Sequence, residues 1–134
     1  MINPMDLTGK LIFVTGASSV LGRQTCITNS QLGAKVVLIS RNEEKLKETL
    51  SMMEGTGHSV YPFDVTNIEG IEDLVTKIVA DNGKIDGFVH SAGIGTVKPL
   101  AFSKYEYFLE MMQVNAFAFV EFSKFIGKKK FGND

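Results

Sequence analysis

The stretch Lys10–Gly22, KLIFVTGASSVLG, decides the fold. Leu11 to Val14 is an unbroken apolar run, which reads as a strand buried on both faces, as in a parallel sheet. Thr15-Gly16 ends it, the small residues Ala17, Ser18 and Ser19 follow, and Gly22 opens a helical pattern. A strand, a turn of small residues and a helix start together make an anion site. The first N–H groups of a helix have no partner inside it, and the helix dipole adds about half a positive charge there. A pyrophosphate suits that place when no large side chain holds it off the backbone. The full G-x-G-x-x-G pattern is absent, because only Gly16 and Gly22 are present. Such a turn also occurs with no ligand, so the rest of the chain must decide.

Working outward, the pattern repeats. The first strand (11–15) leads to a helix over 20–32, stopped by Gly33, and a second apolar strand over 35–40. A helix over 42–53 follows, with Met52 and Met53 as core filler, then a third strand over 59–63. Thr66 and Glu69 have capping-box spacing before a helix that carries Ile68, Ile71, Leu74, Val75, Ile78 and Val79 on one face. A fourth strand (85–90) precedes a second capping-box pair, Ser103 and Glu106, and a last helix over about 104–127. This β-α order predicts a parallel sheet with helices on both faces and a ligand crevice at the carboxyl ends of the strands. The marked residues all fall at those ends: Gly16 to Gly22, Arg41, Asp64 and Ser91-Ala92-Gly93. Four strand ends converging on one rim point to a dinucleotide. Arg41 selects among dinucleotides. NAD sites carry an acid at the end of the second strand, whereas a guanidinium can bind the 2′-phosphate of NADP in bidentate fashion. The alternative is a surface Arg41 paired with Glu44 or another acid.

At 134 residues the chain is one domain by length, and 44% hydrophobic residues suffice for a packed soluble core. A net charge of -1 argues against a nucleic-acid surface, and Lys128 to Lys130 reads as a solvated helix end. Cys26, the single cysteine, excludes an internal disulfide and a multi-cysteine metal site, and it reads as a small buried hydrophobe. No metal site is expected. No apolar stretch approaches the roughly 20 residues of a membrane span. The start, MINPMDLTGK, lacks the basic and apolar regions of a signal peptide, so a cytoplasmic location is expected. The last helix is apolar almost all round (Phe108, Leu109, Met112, Phe117, Phe119, Val120, Phe122, Phe125) and calls for a second covering surface, which makes a homo-oligomer the expectation.

These residues resemble the short-chain dehydrogenase/reductase family, especially its NADP-dependent 3-oxoacyl-carrier-protein reductase-like members. The TGxxxGxG motif of that family is matched by Thr15, Gly16 and Gly22, with Val20 in place of the middle glycine. Asp64-Val65 matches the pair beside the adenine, and His90-Ser91-Ala92-Gly93 stands for Asn-Asn-Ala-Gly, with imidazole and hydroxyl replacing the two amides. His90 reads as a structural hydrogen-bonder at a strand end, and His58 as a surface residue. The resemblance implies a Rossmann-type fold with strand order 3-2-1-4 and cofactor contacts from Gly16, Ser18, Ser19, Leu21, Gly22, Arg41, Asp64, Val65, Ser91, Ala92 and Gly93. It also implies that Asn115 is a catalytic residue that kinks the long helix and holds a water in the proton relay. The implied activity is NADP(H)-dependent hydride transfer with a small carbonyl or alcohol substrate. In the family a Ser and a Tyr-x-x-x-Lys pair follow the next strand. Here the sequence ends where the turn into a fifth strand is expected, and Tyr105 and Tyr107 have no Lys four residues on. These tyrosines read as packing residues. The expectation is a cofactor half, 1–134, of a longer reductase and inactive alone; the alternative is a non-catalytic nucleotide-binding or interaction protein, complete as it stands.

Overall fold

The computed structural model describes residues 2–134. β1 (Leu11–Thr15), β2 (Lys35–Ser40), β3 (Ser59–Pro62) and β4 (Gly87–His90) form one parallel sheet in the order β3-β2-β1-β4. Successive side chains of a strand point to opposite faces, and β1 and β2 run in register as Phe13↔Val37 and Val14↔Leu38. Phe13, Val37 and Ile39 therefore build one core, and Ile12, Val14, Val36 and Leu38 build the other. The first is covered by α3 (Ile71–Asn82) and α5 (Ala118–Ile126), through Val75, Ile78, Phe122 and Phe125. The second is covered by α1 (Val20–Gln31) and α2 (Glu43–Ser51), through Cys26 and Leu46. At the centre of the first core, the Phe13 ring lies 5.5 Å from Phe88 and 5.4 Å from Phe122. The sheet order and its helical cover are those the sequence predicts, because unbroken apolar runs leave no face of β1 or β2 able to meet water.

Both capping boxes are absent. Asp64 takes the N–H and hydroxyl of Thr66 (2.9 and 2.7 Å), and Asn67 caps the short 3-10 turn at Ile68–Gly70. Ser103 donates its hydroxyl to Pro99 O instead of capping α4 (Tyr105–Met112). An aspartate two residues before a threonine competes for the same hydroxyl, which the capping-box spacing alone does not register. Met52 and Tyr105 are exposed rather than packed. His58 is not a loose surface residue: its Nδ1 accepts from Val36 N–H (3.1 Å) and its Nε2 lies 2.7 Å from Glu54 O, which pins the end of α2 to β2.

The predicted last helix is broken. α4 and α5 are joined by a π-helical turn, Gln113–Phe117, where Ala118 N–H donates five residues back to Gln113 O. Beyond α5 the chain returns to the sheet. Ile85 N–H donates to Phe131 O (2.8 Å) and Asn133 N–H to Ile85 O (2.9 Å), a parallel bridge on the outer side of the approach to β4. The β4 edge of the sheet is thus paired at its start. Among the described residues, no helix is long and apolar enough to cross a membrane.

Candidate functional site

Two glycines bring the strand ends and the first helix together. Gly16 has φ +65°, the left-handed region, and a Cβ there would lie 2.5 Å from Ala92 N and 2.6 Å from Ser91 C. The turn after β1 therefore rests directly on the backbone leaving β4. A Cβ on Gly22 would collide with the Gly16 carbonyl, so the first turn of α1 can approach the loop only as glycine. Ser19 stands at the N-cap, yet its hydroxyl donates to Gly16 O (2.9 Å) and makes no cap bond. The first-turn N–H groups of α1 consequently carry no side-chain cap and retain their affinity for an anion.

A cleft of about 490 Å³ opens at the carboxyl ends of the strands. Of the expected residues, Gly16, Ser18, Ser19, Arg41, Asp64, Val65, Ala92 and Gly93 line it. Leu21, Gly22, Ser91 and Asn115 do not. Leu21 turns its side chain outward (77% exposed), Gly22 is packed under the loop, and Ser91 gives its backbone N–H to Thr15 O (3.2 Å). Val20, where the family motif carries glycine, also points away from the cleft at 85% exposure, into the groove between α1 and α2. Its bulk therefore stays out of the cleft.

The corner at the end of β2 is electropositive. Arg41 and Lys45 line the cleft together, and among the described residues neither forms an ion pair. The pairing of Arg41 with Glu44 does not occur, because Lys47 takes both Glu43 (3.2 Å) and Glu44 (3.8 Å). Ser40 Oγ, in the same corner, is buried without a hydrogen-bond partner. Such an orphan is uncommon and fits a polar ligand atom. Lys45 is missing from the sequence-derived site; it enters because the first turn of α2 follows directly on the end of β2. In the same cleft, the Thr66 hydroxyl, the Thr66 N–H and, more weakly, the Arg41 charge hold the Asp64 carboxyl below its ordinary range against burial, so it is charged at neutral pH.

The wall formed by Ala92, Gly93, Ile94 and Val114 is held by side chains behind it. Val114 O can only accept, so His90 Nε2 carries the proton and donates to it (2.9 Å). His90 Nδ1 then accepts from the Thr15 hydroxyl (2.8 Å), and Thr15 Oγ1 in turn accepts from Ala92 N–H (3.3 Å). Burial keeps the His90 pKa below its ordinary value, against the opposing effect of the bond to Val114 O. His90 is thus the structural hydrogen-bonder the sequence suggests, with the second partner supplied by the π turn. In that turn Asn115 clamps one residue from both sides: Oδ1 accepts from Ile94 N–H (2.8 Å) and Nδ2 donates to Ile94 O (2.9 Å). Both polar atoms of the amide are engaged on the loop. A Cβ on Gly93 would lie 3.3 Å from Asn115 Oδ1, which explains the small residue there.

Comparisons with known proteins bear on the family and the fold. The family model for short chain dehydrogenases matches residues 10–129. An uncharacterized oxidoreductase of Escherichia coli K12, YciK, is 35% identical over 115 residues, which span 81% of this chain and 46% of that protein. A second uncharacterized oxidoreductase, Lmo0432 of Listeria monocytogenes, is 33% identical over 113 residues, covering 83% of this chain and 46% of its own. Among solved structures, a citronellol catabolism dehydrogenase (AtuB) of Pseudomonas aeruginosa superposes with a TM-score of 0.85 at 30% identity, over 94% of this chain and 52% of that one. The chain therefore spans about half the length of the relatives it matches.

Proposed function

The chain belongs to the short-chain dehydrogenase family of oxidoreductases, and on that premise we propose that its cleft binds NADP(H) and serves the reduction or oxidation of a small carbonyl or alcohol substrate. The observation that carries the choice of NADP is the corner at the end of β2, where Arg41 and Lys45 stand unpaired beside the orphan Ser40 hydroxyl. A 2′-phosphate would meet two cations and a donor there. An unphosphorylated ribose would leave Lys45 without a counter-charge and Arg41 with only the longer-range pull of the Asp64 carboxylate. When bound, the nicotinamide supplies or takes the hydride.

The remaining assignments follow the cleft. The turn Gly16, Ser18, Ser19, with the N–H groups of Leu21 and Gly22, receives the pyrophosphate. Asp64 and the buried Val65 flank the adenine, and Ser91, Ala92 and Gly93 present backbone to the adenosine ribose. Asn115 belongs to the proton relay of the intact enzyme through the backbone of the π turn, which its side-chain clamp on Ile94 holds in place. Exposed apolar side chains on the helix pair, among them Met112, Phe117, Phe119 and Val120, support self-association through this surface. A cytoplasmic setting suits the free, buried Cys26.

Arg41→Ala and Lys45→Ala in the intact protein test the cofactor assignment. Charge-assisted bonds contribute about 1.5–3 kcal/mol each, and rim exposure puts these at the low end, so NADPH affinity is expected to fall about tenfold for each. NADH affinity should be unchanged. Equal losses for both nucleotides would remove the 2′-phosphate from this corner.

A further inference from the structure

The geometry points to His90 as a positioning residue that locks the two halves of the cofactor wall to each other, a role resting on the nucleotide-binding reading above. Five hydrogen bonds support it. On one side, His90 Nδ1 takes the Thr15 hydroxyl proton, and this orients Thr15 Oγ1 to receive Ala92 N–H. On the other, His90 Nε2–H holds Val114 O, and the next residue, Asn115, clamps Ile94 through both its amide atoms. Ala92 and Ile94 are the two ends of one three-residue segment of the cleft wall, and Val114 lines the cleft from the facing turn. His90 thus ties each end of the segment to a different element: Ala92 to β1 and Ile94 to the π turn.

Each half requires the other. If Nδ1 carried the proton, Val114 O would face a bare nitrogen and the buried Thr15 hydroxyl would need a new acceptor. One tautomer satisfies both sides, and Phe88 and Phe119 flank the ring (centroids 6.1 and 5.9 Å). No other residue type serves both ends. An asparagine amide extends about as far as Nδ1 and a glutamine amide about as far as Nε2, so each can replace one bond and not the other.

The test uses that asymmetry. His90→Asn retains the link to Thr15 and loses Val114; His90→Gln retains Val114 and loses Thr15. Backbone hydrogen exchange is measured in the intact protein, with and without NADPH, together with NADPH affinity. The expected result is a crossed pattern: faster exchange in 113–117 and at Ile94 for His90→Asn, and at Ala92 for His90→Gln. Both variants should also bind NADPH several-fold more weakly. A residue that merely fills space would loosen both segments alike in both variants, and that outcome, or affinity within twofold of the parent, overturns the proposal. If the parent protein binds no NADPH, the cofactor reading fails separately. The exchange pattern then still decides the coupling, with loss of the crossed pattern overturning it.

Discussion

Replacing Gly16 by alanine should cost more than its backbone angle alone explains. The φ of +65° puts an L-residue in the left-handed region, at about 1–2 kcal/mol. The new methyl would also lie 2.5 Å from Ala92 N, 2.6 Å from Ser91 C and 2.7 Å from Ser91 O. All three are backbone atoms that a rotamer change cannot move, so overpacking adds about 1–3 kcal/mol. The combined loss is about 2–5 kcal/mol, which for a chain of this length lowers Tm by roughly 7–18 °C. Gly9 supplies the control, with φ +81° and nothing within 4 Å of a Cβ. Gly9→Ala carries the conformational cost alone and should lose about 1–2 kcal/mol. Thermal unfolding of both variants, followed by circular dichroism, separates the two contributions. Equal losses for Gly16→Ala and Gly9→Ala would refute the claim that the first turn rests on the end of β4. Gly16→Ala should also weaken NADPH binding at temperatures where it is still folded, because relief of the clash displaces Ala92 from the cleft wall.

Other consequences can be checked in parallel. Burial places the His90 pKa below its ordinary value near 6.5, so the unfolded chain binds more protons than the folded one just below that pH. This contribution to stability is present above about pH 6.5 and lost as pH falls towards the folded value, and the parent should lose more Tm than His90→Gln between about pH 8 and pH 5.5. Burial pushes the Cys26 thiol up to about 12, and native protein should resist a thiol reagent at mildly alkaline pH while denatured protein reacts at once. Rapid labelling of the native state would contradict its burial on the sheet-facing side of α1. Val120→Lys, an exposed change, should reduce sedimentation-derived mass if the helix pair forms a subunit interface, and unchanged mass would discard that interface.

The sheet was legible because its signals are local. Leu11 to Val14 and Val36 to Ile39 are too apolar for any strand but a central one, and parallel pairing follows from the helices between them. The strand-end residues of the cleft were legible for the same reason, since the end of a strand fixes which side chains reach the rim. What the sequence hid depends on contacts between distant segments. The π turn has no local cue beyond Asn115, whose partner Ile94 lies 21 residues away. The second bond of His90 needs that turn, so it could not be read from the His90-Ser91-Ala92-Gly93 motif alone. The positions of Leu21 and Val20 illustrate a different limit. A motif identifies backbone N–H groups that face the cleft, whereas the side chains of the same residues face the other way. The capping boxes failed because spacing says nothing about a competing acceptor, and Asp64 was such a competitor.

Whether the cleft selects a 2′-phosphorylated dinucleotide is read from calorimetric titration of the intact protein with NADPH and, side by side, with NADH. One site per chain is expected, with at least about a tenfold preference for NADPH that shrinks as salt screens Arg41 and Lys45. Equal affinity for the two nucleotides, or tighter binding of NADH, would contradict it.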